Sequence, residues 1–206
     1  VQTKKEKIMS KVYILLAPGF EIIEATAPID VLTRCGIEVE KVAVLDNNTE
    51  EGLLVASSHS VQIKADSTLT TDDDVQKIID TGDMVILPGG FPGYENLATN
   101  KLVGKILEGY SKAGKFIAAI CGAPTALAAF DIDRGSRITC HSSVKDRVTK
   151  DLNKNKTYIY TGNAVETDGK LITGKGAGVC MEFAFACAAA LTDSSLIAET
   201  KKKMEI

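Results

Sequence analysis

The sequence predicts an α/β fold: a mostly parallel sheet with helices on both faces. Three observations carry the prediction. Continuous apolar runs such as Val12-Tyr13-Ile14-Leu15-Leu16 and Met84-Val85-Ile86-Leu87 have the pattern of strands buried on both faces. Helical periodicity follows these runs, giving repeated strand-then-helix units. Turn residues stand at the strand ends Leu87-Pro88-Gly89-Gly90 and Ile120-Cys121, and such sheets bind ligands outside the carboxyl ends of their strands.

Taken in order, the first strand stops at Pro18-Gly19 and leads into a helix carrying Ile22, Ile23, Ala27, Val31 and Leu32, with Gly36 as its stop. Residues 38–44 form a second strand, ended by Asp46-Asn47-Asn48. Leu53 to Ala56 and Val61 to Ile63 are short enough for a small hairpin around Ser57, Ser58, His59 and Ser60. Asp72-Asp73-Asp74 supplies acidic residues to the first turn of a helix through Val75, Ile78 and Ile79. After strand 84–87, the loop Pro88 to Gly93 has adjacent glycines that let backbone N–H groups approach a ligand. A helix near Lys101 to Lys112 leads to strand 116–120. That strand ends at Cys121, and Pro124 opens the next helix.

Beyond it, Ser136 to Cys140 reads as a strand delivering His141. A helix over Ser143 to Leu152 and a strand over Thr157 to Thr161 follow. Asp168-Gly169 marks a hairpin between 163–166 and 170–173. Gly174, Gly176 and Gly178 precede an apolar helix, Val179 to Leu191, and Ser194 to Met204 is a last amphipathic helix.

Composition narrows the class. At 206 residues, 45% hydrophobic and 25% charged, the chain reads as a short extension, 1–10, and one domain, 11–206. No apolar run reaches the roughly 18 residues of a membrane helix. A net charge of −3, with Lys201-Lys202-Lys203 as the basic run, argues against a nucleic-acid partner. Five cysteines without a C-x-x-C pair favour reduced thiols and a cytoplasmic location over a disulfide framework. The extension lacks the apolar core of a secretory signal. Two readings of it stay open: extraneous residues before a natural start at Met9, or the remainder of an organellar transit segment.

Cys121 is the candidate nucleophile. A thiol between a buried strand and a helix start meets free backbone N–H groups and the positive end of the helix dipole, so a lowered pKa is expected. Cys35, Cys180 and Cys187 lie on apolar helical faces and read as core residues. Of the two histidines, His59 and His141, the second ends a strand near the cysteine and is the expected partner. Strand alternation then turns Cys140 away. Glu24 stands early in the first helix. Pro28 cannot donate to its carbonyl, so a kink aiming Glu24 into the cleft is expected. Beside a thiolate its carboxyl would stay protonated and donate to sulfur.

Pro18-Gly19-Phe20-Glu21-Ile22-Ile23-Glu24, Leu87-Pro88-Gly89-Gly90, Ala118 to Pro124 and Thr139-Cys140-His141 together resemble the ThiJ/PfpI (DJ-one) superfamily, in the branch containing the parkinsonism-associated deglycase. The resemblance implies a flavodoxin-like homodimer, with Cys121 as the oxidation-prone cysteine, Glu24 as the protonated glutamate and His141 as the nearby histidine. It implies that the backbone of Gly89 and Gly90 holds an oxyanion or an oxidised sulfur, with Gly122 beside them. The chain departs from the pattern at Ile22, Gly122 and Ser142. His59 stands for one arginine of some members, and Arg34 matches another. Protease-like members place histidine directly after the cysteine, where Gly122 stands here. Amidotransferases carry a His-x-Glu pair, whereas Ser142-Ser143 follows His141.

The activity implied is a cofactor-independent, glutathione-independent glyoxalase turning a small aldehyde, methylglyoxal, into lactate, with deglycase action on glyoxal-modified amines or thiols as a further expectation. No metal site is expected, since Cys140-His141 has no second ligand pair at useful spacing. Two other readings stay open. One is an oxidative-stress sensor or redox-regulated chaperone, because an accessible thiolate also oxidises readily. The other is a structural domain with an inert thiol.

Overall fold

The structure, a computed structural model, describes residues 9–45, 53–150 and 157–206. Asp46-Asn47-Asn48, Leu152 and most of the extension lie outside the described residues. Among the described residues, eleven strands and eight α-helices follow in the order β1 (Lys11–Leu16), α1 (Ile22–Arg34), β2 (Glu38–Val44), β3 (Leu54–Ala56), β4 (Gln62–Lys64), β5 (Ser67–Leu69), α2 (Asp72–Thr81), β6 (Met84–Leu87), α3 (Gly93–Thr99), α4 (Lys101–Lys112), β7 (Phe116–Ile120), α5 (Pro124–Ala129), β8 (Arg137–Ile138), α6 (Lys145–Thr149), β9 (Ile159–Tyr160), β10 (Val165–Asp168), β11 (Leu171–Gly174), α7 (Cys180–Ala189) and α8 (Ser194–Lys203).

Seven strands form one sheet in the order β10-β11-β7-β6-β1-β2-β5. Every pair in it is parallel except β10 with β11, the hairpin turned by Asp168-Gly169. The apolar runs are buried because side chains leave each strand alternately. Tyr13 and Leu15 enter a core with α2 and α4, while Val12, Ile14 and Leu16 enter one with α1 and α7. The sheet is thus covered on both faces, as expected of a flavodoxin-like fold. Among the described residues, no helix is long and apolar enough to cross a membrane.

Three expectations need correction. Helix α1 runs unbroken from Ile22 to Arg34 with Pro28 buried inside it, so no helix break aims Glu24. The strand before His141 is only Arg137–Ile138, and it pairs with β9 in a separate two-stranded sheet. His141 therefore does not arrive on the main sheet. Its backbone N–H donates instead to the carbonyl of Cys121, at 2.9 Å. Finally, β5 and α3 were absent from the sequence pattern. A three-residue edge strand and a seven-residue helix are too short to show a period.

Candidate active site

The carboxyl ends of β1, β6 and β7 are adjacent in the sheet, and the segments leaving them form one wall. At the end of β1, Glu21 caps α1: its Oε2 accepts from the N–H of Glu24 at 2.9 Å. Its own N–H donates to the carbonyl of Gly89 at 2.8 Å, tying the start of α1 to the end of β6. That places Glu24 in the first turn of α1, fully buried, where its Oε2 accepts from the N–H of Gly89 at 2.8 Å. Gly90 follows with φ +89°. A side chain there would meet the nitrogen of Glu21 at 2.3 Å, so only glycine lets the β6 loop lie against α1.

At the end of β7 the chain turns sharply. Cys121 has φ +64°, in the left-handed region that a side chain disfavours. Its N–H donates to the carbonyl of Gly174 at 2.9 Å, its carbonyl accepts from His141, and α5 starts three residues later at Pro124. A strained strand-to-helix turn of this kind lifts a side chain out of the sheet edge. Of the five free cysteines, Cys121 alone is partly accessible; Cys35, Cys140, Cys180 and Cys187 are buried.

The electrostatics of this corner differ from the expected helix-end thiolate. Burial raises the carboxyl of Glu24 to about 7. The Cys121 thiol and the Gly89 N–H pull the other way, and the charge of Glu21 adds to the rise. The Cys121 thiol is pushed up to about 12, by burial first and then by Glu24. The N–H groups of Gly122 and Gly90 offset only part of this. The lowered thiol pKa expected from the helix end is therefore corrected. The two acids titrate as a pair, one proton leaving near neutrality and the second held far above it. The other carboxyl oxygen of Glu24, Oε1, is buried without a hydrogen-bond partner.

His141 closes the corner. The backbone N–H of Ser143, which can only donate, lies 3.3 Å from Nδ1, and the Ser143 Oγ lies 2.8 Å from the same nitrogen. Nδ1 is thus the acceptor, and the neutral ring carries its proton on Nε2. Glu24, Cys121, His141 and Gly90 all line one open cavity of about 640 Å³, together with Glu21, Ser58, His59, Phe91 and the loop from Lys175 to Val179.

A model of the DJ-1/PfpI family matches residues 10–190. Protein dj-1beta of Drosophila melanogaster is 37% identical over 189 residues, covering 92% of this chain and 93% of that protein. The chain belongs to the DJ-1/PfpI family. Among its relatives in that family is a protein of Caenorhabditis elegans named glutathione-independent glyoxalase DJR-1.2, 37% identical over 172 residues and 83% of each chain. The crystal structure of Drosophila melanogaster DJ-1beta superposes with a TM-score of 0.84 at 32% identity, covering 97% of this chain and 99% of that one.

Within this DJ-1/PfpI framework the residues singled out by sequence fall together, with one difference of role, at Gly89. Gly89 gives its N–H to Glu24, and Gly90 and Gly122 are the glycines whose N–H groups bear on the sulfur. Gly122 is also where Tyr94 packs: a side chain at 122 would come within 2.4 Å of that ring. His59 lines the cavity, its Nδ1 3.9 Å from Glu21 Oε1. Arg34 is remote at the end of α1, paired with Asp30 at 2.8 Å. Cys140 is buried in the apolar core.

Sequence reading missed the part played by Glu21, Phe91 and the loop Lys175 to Val179. The glycine spacing at 174, 176 and 178 was the available signal for that loop: a side chain at Gly176 would contact both the His141 ring and the Cys121 sulfur, at 3.6 and 3.9 Å.

Proposed function

We propose that the chain is a cofactor-independent glyoxalase that converts methylglyoxal and water to lactate, with Cys121 as nucleophile. The observation that supports this best is the buried Glu24 carboxyl, raised to about 7 beside an accessible thiol under the N–H groups of Gly90 and Gly122. The thiolate forms when the single proton left on the pair resides on Glu24, where the unpartnered Oε1 gives it a place. A family member named as a glutathione-independent glyoxalase supports the same reading.

In this mechanism the sulfur adds to the aldehyde carbon, and Glu24 delivers its proton to the new alkoxide, giving a hemithioacetal. Glu24, now a carboxylate, moves the carbon-bound proton from C1 to C2. His141 gives its Nε2 proton to the oxygen on C2 and takes the one on the C1 oxygen. C1 is oxidised and C2 reduced within one molecule, so no external electron carrier enters. The product is a lactoyl thioester on Cys121, which water hydrolyses to lactate and free thiol. The Gly90 and Gly122 N–H groups stabilise the oxyanions on the way.

The deciding experiment is lactate production from methylglyoxal without glutathione by wild type and Cys121→Ser. Turnover in wild type and its loss in the variant are expected, and normal turnover in the variant rejects the mechanism. The same attack on a glyoxal-modified amine or thiol would give deglycase action, tested by release of free amine from methylglyoxal-treated peptide.

A second reading is supported by the exposure difference among the thiols: Cys121 records oxidative stress as a sulfinate, and a client or partner reads it. Mild peroxide followed by mass spectrometry tests it, and equal oxidation of Cys121 and Cys35 rejects it. We also read the chain as a homodimer in the cytoplasm. Exposed Ile23 and Met181 flank an apolar groove between α1 and α7 suited to a second copy, and the free thiols suit a reducing compartment. Sedimentation of the purified chain tests the dimer.

A further inference from the structure

Methylglyoxal fills little of the cavity. At about 640 Å³, the space is in the range that holds drug-sized ligands, and much of its wall is apolar: Phe91, Ala177 and Val179. Phe91 stands out among these. It is 69% exposed, an unfavourable state for a large aromatic ring, and it directly follows Gly90, whose N–H bears on the sulfur. One side of the ring is braced by Tyr94, with centroids 6.2 Å apart and planes tilted by 58°. Tyr94 is itself held against Gly122. The Phe91 ring is therefore backed by a second ring that packs on the catalytic turn, and it leaves aromatic surface open to the cavity.

We propose that Phe91 forms a subsite for an aromatic substituent on the substrate, so that the preferred substrates are aryl-substituted 2-oxoaldehydes rather than methylglyoxal. This rests on the glyoxalase reading of the same cavity. Gly90, Phe91 and Cys121 line the same cavity, so a substrate bound at the sulfur shares its space with the ring. An aryl group there buries the open Phe91 surface and gains an aromatic contact, whereas a methyl group leaves it wet. The reaction keeps its balance: phenylglyoxal and water give mandelate.

The test compares kcat/KM for phenylglyoxal and methylglyoxal in wild type, Phe91→Ala and Phe91→Tyr, with mandelate and lactate quantified by chromatography. Wild type favours phenylglyoxal. The preference falls roughly three- to tenfold in Phe91→Ala and is retained in Phe91→Tyr. A second measurement is independent of turnover: alkylation of Cys121 by phenacyl bromide and by bromoacetone, each normalised to its rate with N-acetylcysteine, the sulfur displacing bromide from the methylene carbon. The same preference and the same loss are expected. Methylglyoxal turnover with a substrate ratio that ignores Phe91 overturns the subsite and leaves the glyoxalase reading standing. An alkylation preference that depends on Phe91, without turnover of either aldehyde, supports the subsite and removes the glyoxalase reading. Absence of the preference in both measurements overturns the subsite.

Discussion

Gly89 and Glu24 are bound to each other twice over, once by a hydrogen bond of 2.8 Å and once by an omitted side chain. A Cβ at residue 89 would stand 2.6 Å from Glu24 Oε2 and 2.8 Å from the Cβ of Cys121, so the missing methyl is the space in which carboxyl and thiol meet. Gly89→Ala should therefore lower kcat by about 10² through loss of positioning, together with roughly 1–3 kcal/mol of stability from overpacking. Steady-state kinetics and denaturant titration of the one variant read both.

The raised carboxyl of Glu24 makes a prediction about stability. Its ordinary value is 4.5 and its folded value about 7. Below pH 4.5 the group is protonated in both states and contributes no difference. Between 4.5 and 7 the unfolded chain releases the proton first, so folded stability falls as pH rises, reaching a deficit of up to about 3 kcal/mol above 7. Glu24→Gln removes that deficit while keeping an acceptor for Gly89. Its Tm should match or trail wild type at pH 4 and exceed it at pH 8. A Tm gain independent of pH would contradict the burial argument.

Sharing of one proton between Glu24 and Cys121 predicts an alkylation profile. The rate of Cys121 modification by iodoacetamide, followed by mass spectrometry, should inflect near pH 7 in wild type, where the pair loses its first proton. In Glu24→Ala the thiol loses both the charge that opposes ionisation and the acid that stabilises the thiolate. The inflection should leave pH 7. Retention of the same inflection in that variant would show that some other group controls the sulfur.

His141 and Ser143 give a graded pair. His141→Ala should cost about 10²–10³ in kcat, the range for a positioned proton-transfer group. Ser143→Ala keeps the backbone N–H on Nδ1 and removes only the hydroxyl at 2.8 Å, so a smaller loss of roughly threefold to tenfold is expected. Equal losses in the two variants would mean that the hydroxyl, not the ring, moves the proton.

The frame of the molecule was legible because its central strands are long apolar runs and its hairpin carries Asp168-Gly169. Cys121, Glu24 and Gly90 were legible as a group, since each follows the end of a strand that the topology brings to one edge. What the sequence could not reveal depends on sums over distant segments. The thiol pKa combines burial, Glu24 from α1 and N–H groups from two loops, and local pattern contains only the helix-end contribution. His141 reaches the site through a backbone hydrogen bond to Cys121, which leaves no periodic trace. Phe91 reads as one more apolar residue until its exposure is known.

The left-handed backbone of Cys121, at φ +64°, bears on what residue 121 is for. Glycine or asparagine would suit that backbone better, and the strain of holding a larger side chain there is on the order of 1 kcal/mol. Among the described residues, five non-glycine residues have positive φ, and Cys121 is the one of the five that lines the cavity. The fold thus holds a thiol at the cavity wall at a conformational cost that Cys121→Gly should recover as added stability.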